Sequence, residues 1–252
     1  MGLEGRVALI SGGNRGIGAA IAVALAGDGA DVAITFRRDE ESAIATVNAV
    51  RAIGQRAERY EASVDDWDQS ERLVSGVLAD FGHVDILVHS AGIASRGMTV
   101  ADTDPAEIEK LWRVHAFAAF ALSKLVLPSM RTQPRGDIIM ISSAATLMWA
   151  GNSAPYNMGK AALEALAHTL AKEERKHGIH VNIVAPGLTD TEMGRRLAKA
   201  TAGAQDIHDL DERSPFGHVC SPEEVADVVR FVVSDAAGYM TDQRIGVEGG
   251  AF

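Results

Sequence analysis

The sequence predicts an α/β protein in which helices cover both faces of a parallel sheet. Short runs rich in β-branched and other apolar residues alternate with longer helical patterns along the chain. Several runs are apolar at nearly every position, as in Ile138-Ile139-Met140-Ile141. Strands buried on both faces have this composition, which is typical of parallel sheets. The alternation then requires crossover helices on the two sides of the sheet.

The strand and helix patterns follow one another in a regular order. The predicted strands are 6–11, 31–36, 57–62, 86–89, 137–142, 180–184 and 244–247. The predicted helices are 16–27, 39–53, 67–81, 105–130, 156–177 and 222–234. One stretch, 189–221, is polar and irregular, with Gly203, Pro215 and Gly217 as interruptions. A segment of this length in a compact domain is more often functional or mobile than structureless filler.

Composition limits the domain count and the classes of partner. A length of 252 residues with 47% hydrophobic residues fits one domain with a large core. The net charge of −10 argues against nucleic acid and against an anionic membrane surface, because both bind basic faces. We expect neither a membrane span nor a signal peptide, since the sequence has neither pattern. The single cysteine, Cys220, permits no disulfide within the chain and fits a cytoplasmic protein.

A glycine-rich loop follows the first predicted strand. Its glycines at positions 12, 16 and 18 stand directly before a helix. Glycine permits a tight turn and lets the backbone approach a pyrophosphate, while the start of the helix offers unpaired N–H groups. The spacing is Gly-x3-Gly-x-Gly, unlike the Gly-x-Gly-x2-Gly of longer dinucleotide-binding folds. The loop therefore predicts a dinucleotide site, and a glycine-rich turn without a ligand is the alternative.

The residues after the second strand favour NADP(H) over NAD(H). The position where an acidic side chain would accept from the adenine ribose holds Phe36, and two arginines follow it, Arg37 and Arg38. Arg15 adds a third guanidinium from the glycine loop. Guanidinium groups match a 2′-phosphate in charge and geometry. The alternative is that Arg37 and Arg38 are solvated charges that balance the acidic residues 39–41.

Tyr156 and Lys160 are four residues apart at the start of a helical pattern, which places them on one helix face. A nearby ammonium is expected to lower the pKa of a tyrosine, which then exchanges a proton with a carbonyl or alcohol oxygen. Ser143 follows an apolar strand, where α/β sheets place their ligand crevice. Its hydroxyl is suited to hold the substrate oxygen beside the phenol.

These motifs together resemble the short-chain dehydrogenases/reductases, including members similar to 3-oxoacyl-acyl-carrier-protein reductases. The glycine loop, Ser143, Tyr156-x3-Lys160 and the pair Pro186-Gly187 occur in the order and spacing of that family, and the resemblance covers essentially the whole chain. It implies a single NADP(H)-binding catalytic domain, 1–252, with a Rossmann-like, doubly wound parallel sheet of seven strands. It also implies that the irregular stretch 189–221 is a substrate lid.

The resemblance further implies a role for particular residues and no metal. Ser143 would polarise the substrate, Tyr156 would act as acid or base, and Lys160 would hold the ribose and tune Tyr156. Thr191 would contact the nicotinamide amide. The cofactor-binding residues that it implies are Gly12, Asn14, Arg15, Gly16, Ile17, Gly18, Arg37, Arg38, Ser63, Val64, Ala91, Gly92, Tyr156, Lys160, Pro186, Gly187, Thr189 and Thr191.

Two histidines depart from the family pattern. The family usually has Asn-Asn-Ala-Gly after the fourth strand, where this chain has His89-Ser90-Ala91-Gly92. It also has an asparagine in the following long helix that completes a proton relay, and the matching residue here is His115. The histidines are either neutral hydrogen-bonding replacements, or His115 takes over the relay as a titrating catalytic group, or the chemistry is altered.

The substrate and the assembly stay open at this level. Met148, Trp149, Met193 and Leu197 predict a partly apolar pocket, with plain core packing as the alternative. Docking of an acidic acyl carrier would need a basic patch, for which the candidates are Arg131, Arg135, Lys172, Arg175 and Lys176. Phe117, Phe120, Leu125, Leu163 and Leu166 are consistent with a homodimer or homotetramer, or with core.

The expected function is hydride transfer between NADP(H) and a small carbonyl or alcohol. Two other classes compete with it on the same fold. One is a non-catalytic NADP(H)-binding regulator, which would lose the catalytic residues. The other is a scaffold without cofactor, which would lose the glycine loop. Ser143, Tyr156, Lys160 and the glycines are all present, which favours the enzyme.

Overall fold

A computed structural model describes residues 2–250 and confirms the predicted fold class. Its sheet has seven strands in the order β3-β2-β1-β4-β5-β6-β7, and every neighbouring pair is parallel. The strands are β1 Val7–Ser11, β2 Asp31–Phe36, β3 Ala57–Glu61, β4 Ile86–His89, β5 Gly136–Ile141, β6 Ile179–Pro186 and β7 Arg244–Val247.

Helices connect consecutive strands and cover both faces of the sheet. The α-helices in the described part of the chain are α1 Gly16–Gly27, α2 Glu40–Ile53, α3 Trp67–Phe81, α4 Pro105–Trp112, α5 Ala118–Met130, α6 Ala145–Met148, α7 Ala154–Glu174, α8 Glu192–Ala202 and α9 Pro222–Val233. Short 3-10 turns occur at Arg175–His177, Ile207–Arg213, Pro215–Gly217 and Asp235–Ala237. None of the helices within 2–250 is long and apolar enough to cross a membrane.

The period-2 alternation of strand side chains separates two cores. Ile139 and Ile141 of β5 pack with α1, α2 and α9 on one face. Ile138 and Met140 pack with α3, α5 and α7 on the other. Since each strand must fill both cores, its residues are apolar at every position, which is why the strands were recognisable in the sequence.

The strand order brings the candidate residues to one edge of the sheet. The chain reverses its direction of strand addition between β1 and β4, and at such a switch point the loops leave a crevice outside the carboxyl ends of the strands. The register pairs Ser11 with His89 and His89 with Met140. The glycine loop, His89 and Ser143 therefore all emerge at this edge.

The structure corrects three local predictions. The long helix predicted over 105–130 contains a π-helical turn, Arg113–Phe117, between α4 and α5. Strand β6 continues to Pro186, beyond the predicted end at Val184. The stretch expected to be irregular contains α8, whose buried residues are Gly194 and Ala198. Two small residues leave no large apolar periodicity, so that helix could not be read from the sequence.

Candidate functional site

The glycine loop forms a cradle in which side chains do not fit. Gly12 and Gly16 have positive φ angles, of 64° and 53°. A Cβ atom on Gly13 would lie 2.6 Å from Cγ2 of Ile34, and one on Gly18 would lie 2.3 Å from the carbonyl oxygen of Gly12. The start of α1 carries no side-chain cap, so its first N–H groups are available to an anion. The loop thus fits the pyrophosphate of a dinucleotide.

Three arginines lie around the end of β2. Phe36 is buried, whereas Arg37 and Arg38 are exposed and make no side-chain hydrogen bond or ion pair within residues 2–250. Arg15 donates from Nη1 to Glu192 at 2.5 Å. Hydrogen bonds from Ser42 lower the pKa of Asp39, and the charge of Arg15 lowers it further. The local acidic groups have other partners, because Asp39 caps α2 and Glu40 pairs with Arg59.

These contacts weigh against the balanced-charge alternative. The acidic residues at 39 and 40 do not neutralise Arg37 or Arg38 in the structure. Their guanidinium groups are therefore available to a phosphate at this end of the crevice.

The remaining predicted cofactor residues line the same edge of the sheet. Ser63 donates its hydroxyl to Asp65 at 2.5 Å, and Val64 is buried beside it. The backbone of Ala91 lies 3.0 Å from the position of a Cβ on Gly12, so the two loops touch. The N–H of Ala144 donates to the Pro186 carbonyl at 2.8 Å, which joins the serine loop to the end of β6.

The segment after β6 packs against the glycine loop. Gly187 donates its N–H to the Val247 carbonyl at 2.9 Å, and Thr189 is buried. Thr191 caps α8 by accepting from the Gly194 N–H at 3.0 Å. Its methyl carbon lies 3.1 Å from the position of a Cβ on Gly16. Thr191 therefore lies at the mouth of the cradle.

Ser143, Tyr156 and Lys160 converge as the sequence predicts. α7 begins at Ala154, and Pro155 and Tyr156 follow in its first turn, where proline is well tolerated. Tyr156 and Ser143 share a side-chain hydrogen bond. Lys160 is only 4% exposed and donates from Nζ to the Ile141 carbonyl at 2.8 Å, with Nζ 5.9 Å from the centre of the Tyr156 ring. The hydroxyl, phenol and ammonium thus meet where β5 ends.

The pKa of Tyr156 differs from the expectation. Burial raises it, and the hydrogen bond from Ser143 lowers it only in part. Lys160 is not among the causes of this shift. Burial lowers the pKa of Lys160 itself to about 7, and the charge of Glu164 opposes that change. The structure therefore does not bear out the prediction that Lys160 lowers the Tyr156 pKa. The phenol is neutral, which is the form that donates a proton.

His115 lies in the π-helical turn, edge-on to the Tyr156 ring with centroids 5.3 Å apart. Its Nε2 is 3.0 Å from the Ile93 carbonyl oxygen. Because a carbonyl only accepts, Nε2 carries the ring proton, and Nδ1 is an acceptor. Nδ1 is buried without a hydrogen-bond partner in the described chain. A Cβ on Gly92 would lie 3.5 Å from this Nδ1 and 3.7 Å from Lys160 Nζ, so the two nitrogens flank one small space.

His89 is fixed in the same tautomer by Ser11. The Ser11 hydroxyl oxygen accepts from the N–H groups of Ser90 and Ala91, both at 3.1 Å, and lies 2.9 Å from His89 Nδ1. With both lone pairs of that oxygen occupied, its proton points to Nδ1, and Nε2 of His89 carries the ring proton. This Nε2 is buried and makes no hydrogen bond of normal geometry with residues 2–250.

Both histidines are neutral at physiological pH. Burial, and secondly the charge of Lys160, lowers the pKa of His89 to about 3. The same two causes, in the same order, hold the pKa of His115 well below its usual range. Among residues 2–250 no group of three or more His, Cys, Asp or Glu is arranged to hold a metal ion.

Sequence reasoning missed a second polar group behind the serine. Glu164 and Arg244 form an ion pair at 3.1 Å, and Ser142 and Thr146 donate to the same carboxylate oxygen. The signal in the sequence was Glu164 itself, which stands one helical turn after Lys160. No signal links it to Arg244, which is 80 residues further along the chain.

The candidate basic patch is smaller than expected. Arg131 is committed to a bidentate contact with buried Glu174, at 2.8 and 2.5 Å. Arg135 holds fully buried Asp137 at the opposite edge of the sheet. Of the five candidates, Arg131, Lys172, Arg175 and Lys176 are exposed, and Arg135 is not.

The apolar candidates divide between surface and core. Met148, Trp149, Met193 and Leu197 are exposed, by 37% to 58%, so plain core packing does not account for them. Of the residues considered for an interface, Leu163 is fully buried in the core, whereas Phe120 is 46% exposed.

Comparison with known proteins gives full-length similarity to one family. The model of the family described as enoyl-(acyl carrier protein) reductase matches residues 12–251. Versicolorin reductase of Emericella nidulans is 35% identical over 99% of this chain and 97% of its own. The 3-oxoacyl-[acyl-carrier-protein] reductase of Escherichia coli is 34% identical over 100% and 99%. A crystal structure of a short-chain dehydrogenase from Burkholderia cenocepacia in complex with NADP is 34% identical, with a TM-score of 0.89, over 99% and 98%.

The buried Lys160 predicts a pH-dependent cost to stability. Its pKa falls from 10.5 to about 7 on folding. Between these values the unfolded chain binds more protons, so stability rises with pH, and below about pH 7 the full cost is present. Replacing Lys160 by methionine should therefore raise the Tm of the ligand-free protein strongly at about pH 6 and little at about pH 10.

Thermal melts at several pH values measure this difference. Lys172→Met on the same helix is the control, because that side chain is 65% exposed and its removal should change Tm little at every pH. A Tm difference for Lys160→Met that does not vary with pH would contradict the burial argument.

Proposed function

The chain belongs to the short-chain dehydrogenase/reductase family, and from that premise we propose that it transfers a hydride between NADP(H) and a carbonyl or secondary alcohol. The observation that carries the proposal is the convergence of Ser143, Tyr156 and Lys160 at the sheet edge that also holds the glycine cradle. A binding protein without catalysis has no use for a phenol hydrogen-bonded to a serine beside a buried ammonium.

The cofactor would lie along the carboxyl edge of the sheet. Gly12, Gly16 and the start of α1 would hold the pyrophosphate, and Arg37, with Arg38 and Arg15, would hold the 2′-phosphate. The nicotinamide, when bound, supplies or accepts the hydride. Arg15 donates to Glu192, so to bind the 2′-phosphate it would have to exchange a carboxylate for a phosphate.

The protein's own residues manage the proton. Ser143 and Tyr156 would both hydrogen-bond the substrate oxygen, and the neutral phenol would donate its proton to that oxygen during reduction. An anionic ligand near Lys160 would favour its charged form, because an opposite charge offsets the cost of burial. The ammonium would then stabilise the phenolate that is left behind.

We propose that His115 acts as a neutral hydrogen-bond acceptor beside Lys160. The unpartnered Nδ1 and the low pKa support this alternative over a titrating relay, because a histidine that stays neutral near pH 7 does not exchange protons readily. The space between Nδ1 and Lys160 Nζ is polar on both sides, which suits a bridging water.

We propose that 189–221 is the substrate lid. It has its own small core, formed by Ala198, Ala204, Ile207 and Val219. It reaches the cradle through Thr191 and the Arg15–Glu192 ion pair. The exposed Met193 and Leu197 on α8 support a substrate that is partly apolar, such as a 3-oxoacyl thioester or a bulky ketone.

Two further expectations carry over as proposals. Exposed Trp112, Phe120 and Met158 support pairing of copies through α4, α5 and α7 into a dimer or tetramer, because large apolar residues on a surface mark interfaces. The cytoplasmic location stays a prediction.

Oxidation of NADPH, followed at 340 nm with aldehydes, ketones and 3-oxoacyl thioesters, tests the proposed reaction. We expect turnover with at least one class, and a loss of about 10³-fold or more in kcat for Tyr156→Phe, which removes the proton donor and keeps the ring. Tyr239→Phe is the matched control, since that tyrosine is fully exposed. Tight NADPH binding without turnover across the panel would contradict the enzyme and favour the regulator.

The exposed guanidinium of Arg37 predicts that the protein binds NADPH in preference to NADH. Arg37→Ser should weaken NADPH binding by about tenfold or more and leave NADH binding within about twofold, because only the first loses a charge-assisted contact. Fluorescence titration of both cofactors measures this, with exposed Arg213→Ser as control. An equal loss of affinity for NADPH and NADH would contradict a contact between Arg37 and the 2′-phosphate.

A further inference from the structure

A carboxylate and a guanidinium lie behind the proposed catalytic serine. Glu164 stands on α7, one turn after Lys160 and two turns after Tyr156. Arg244 is the first residue of β7 and donates from Nε to Glu164 Oε1 at 3.1 Å. Both side chains are mostly shielded from solvent, at 14% and 19% exposed. An ion pair in such a place is screened much less than one on the surface.

One oxygen of Glu164 connects three elements. Besides Arg244, Oε1 accepts the hydroxyl of Ser142 at 2.6 Å and the hydroxyl of Thr146 at 2.8 Å. Ser142 directly follows β5, and Thr146 belongs to α6, and both are 4% exposed. The carboxylate therefore ties α7 to the loop that carries Ser143. Hydrogen bonds to an ionised acceptor are the strong ones in proteins.

Arg244 also contacts the loop that carries Ser143. Its Nη2 donates to the Ser143 carbonyl at 3.2 Å and to Thr146 Oγ1 at 3.0 Å. The preceding residue, Ser142, is thus hydrogen-bonded to Glu164, and the Ser143 carbonyl is hydrogen-bonded to Arg244. Its side chain remains for chemistry: Oγ accepts from the Ala145 N–H at 3.2 Å and bonds to Tyr156.

The same helix carries both ends of this arrangement. Tyr156 and Glu164 are eight residues apart on α7, which corresponds to about 12 Å along a rigid helix axis. The helix carries Tyr156 near its start, and Glu164, further along, is hydrogen-bonded to the loop that holds Ser143. The rigid helix therefore sets the distance between the hydroxyl groups of Tyr156 and Ser143. A displacement of about 1 Å in such a site costs up to about 100-fold in rate.

We propose that Glu164 and Arg244 are positioning residues, which set the geometry of Ser143 relative to Tyr156 and do not touch the substrate. The proposal rests on the proposed function for its kinetic consequence and on the contacts above for its geometry. The exposed Arg51–Glu58 ion pair has no such contact with the serine loop, and it therefore serves as a comparison.

Kinetics of four variants test the role. Glu164→Gln and Arg244→Met should each lower kcat about tenfold or more, while the Kd for NADPH stays within about twofold, because the cradle is untouched. The double variant should lose no more than Glu164→Gln alone, since both residues act through Ser143 and only Glu164 also supports the charge of Lys160. Arg244→Lys keeps the charge and should recover part of the loss. Glu58→Gln is the matched control and should leave kcat unchanged.

A second readout needs no turnover. The Ser143 hydrogen bond lowers the pKa of Tyr156, so misplacing Ser143 should move the phenol titration to higher pH. Absorbance near 295 nm follows it in the ligand-free protein, and Tyr156→Phe assigns the signal. If the wild-type protein turned over no substrate of the panel, this titration would still decide the positioning role apart from the proposed function.

The kinetic and titration results together decide whether Glu164 and Arg244 position Ser143. A lower kcat with unchanged NADPH binding, together with a raised Tyr156 titration, supports the role. A kcat within about twofold of wild type and an unchanged titration in Glu164→Gln would overturn it. If Glu164→Gln fails to fold, Arg244→Met carries the same two comparisons. Strict additivity of the single losses in the double variant would also contradict a shared action through Ser143.

Discussion

Burial of the Lys160 ammonium is the constraint around which the site is organised. An interior charge is tolerated only with compensating partners. Lys160 has the Ile141 carbonyl as hydrogen-bond acceptor and Glu164 as the nearby anion. Two further bases, His89 and His115, lie close enough to feel its charge, and both are held neutral. A second cation in this group would meet like-charge repulsion in a poorly solvated place. Lys160 is therefore the one base of this group that titrates, and the histidines act as neutral hydrogen-bonding groups. An anionic ligand nearby would favour the charged form of Lys160.

The fold supplies this arrangement through the shared carboxyl edge of its parallel strands. β1 contributes Ser11, which fixes the His89 tautomer, and β4 contributes His89 itself. β5 ends at the serine loop, and β7 reaches back through Arg244 to hold it. The π-helical turn between α4 and α5 places His115 against the Tyr156 ring, and π-helical turns often occur at functional sites. Each contribution is local, but only the strand order brings the residues together, because they are distant in sequence.

The sequence predicted the sheet, its helices and the three central residues, because these depend on periodicity and on motifs of short spacing. Strands such as β5 are apolar throughout, and Tyr156 and Lys160 are one turn apart. It did not predict α8, whose buried stripe consists of small residues, or the π-helical turn, which leaves the apolar pattern unchanged. The partnership of Glu164 with Arg244 and the raised Tyr156 pKa depend on three-dimensional burial, which no local pattern encodes. The histidine substitutions were visible, but their tautomers needed the carbonyl of Ile93 and the hydroxyl of Ser11.

Lys160 is the one base of the buried group that gains a proton near neutral pH, while both histidines stay neutral. Nitrogen-15 NMR of the histidine rings, with signals assigned through His89→Asn and His115→Asn, measures their protonation. We expect both rings to keep the shifts of a neutral imidazole with the proton on Nε2 from about pH 8 to about pH 5. Titration of either ring with a midpoint near its ordinary pKa of about 6.5 would contradict this protonation pattern, because a charged histidine there could not coexist with a buried ammonium.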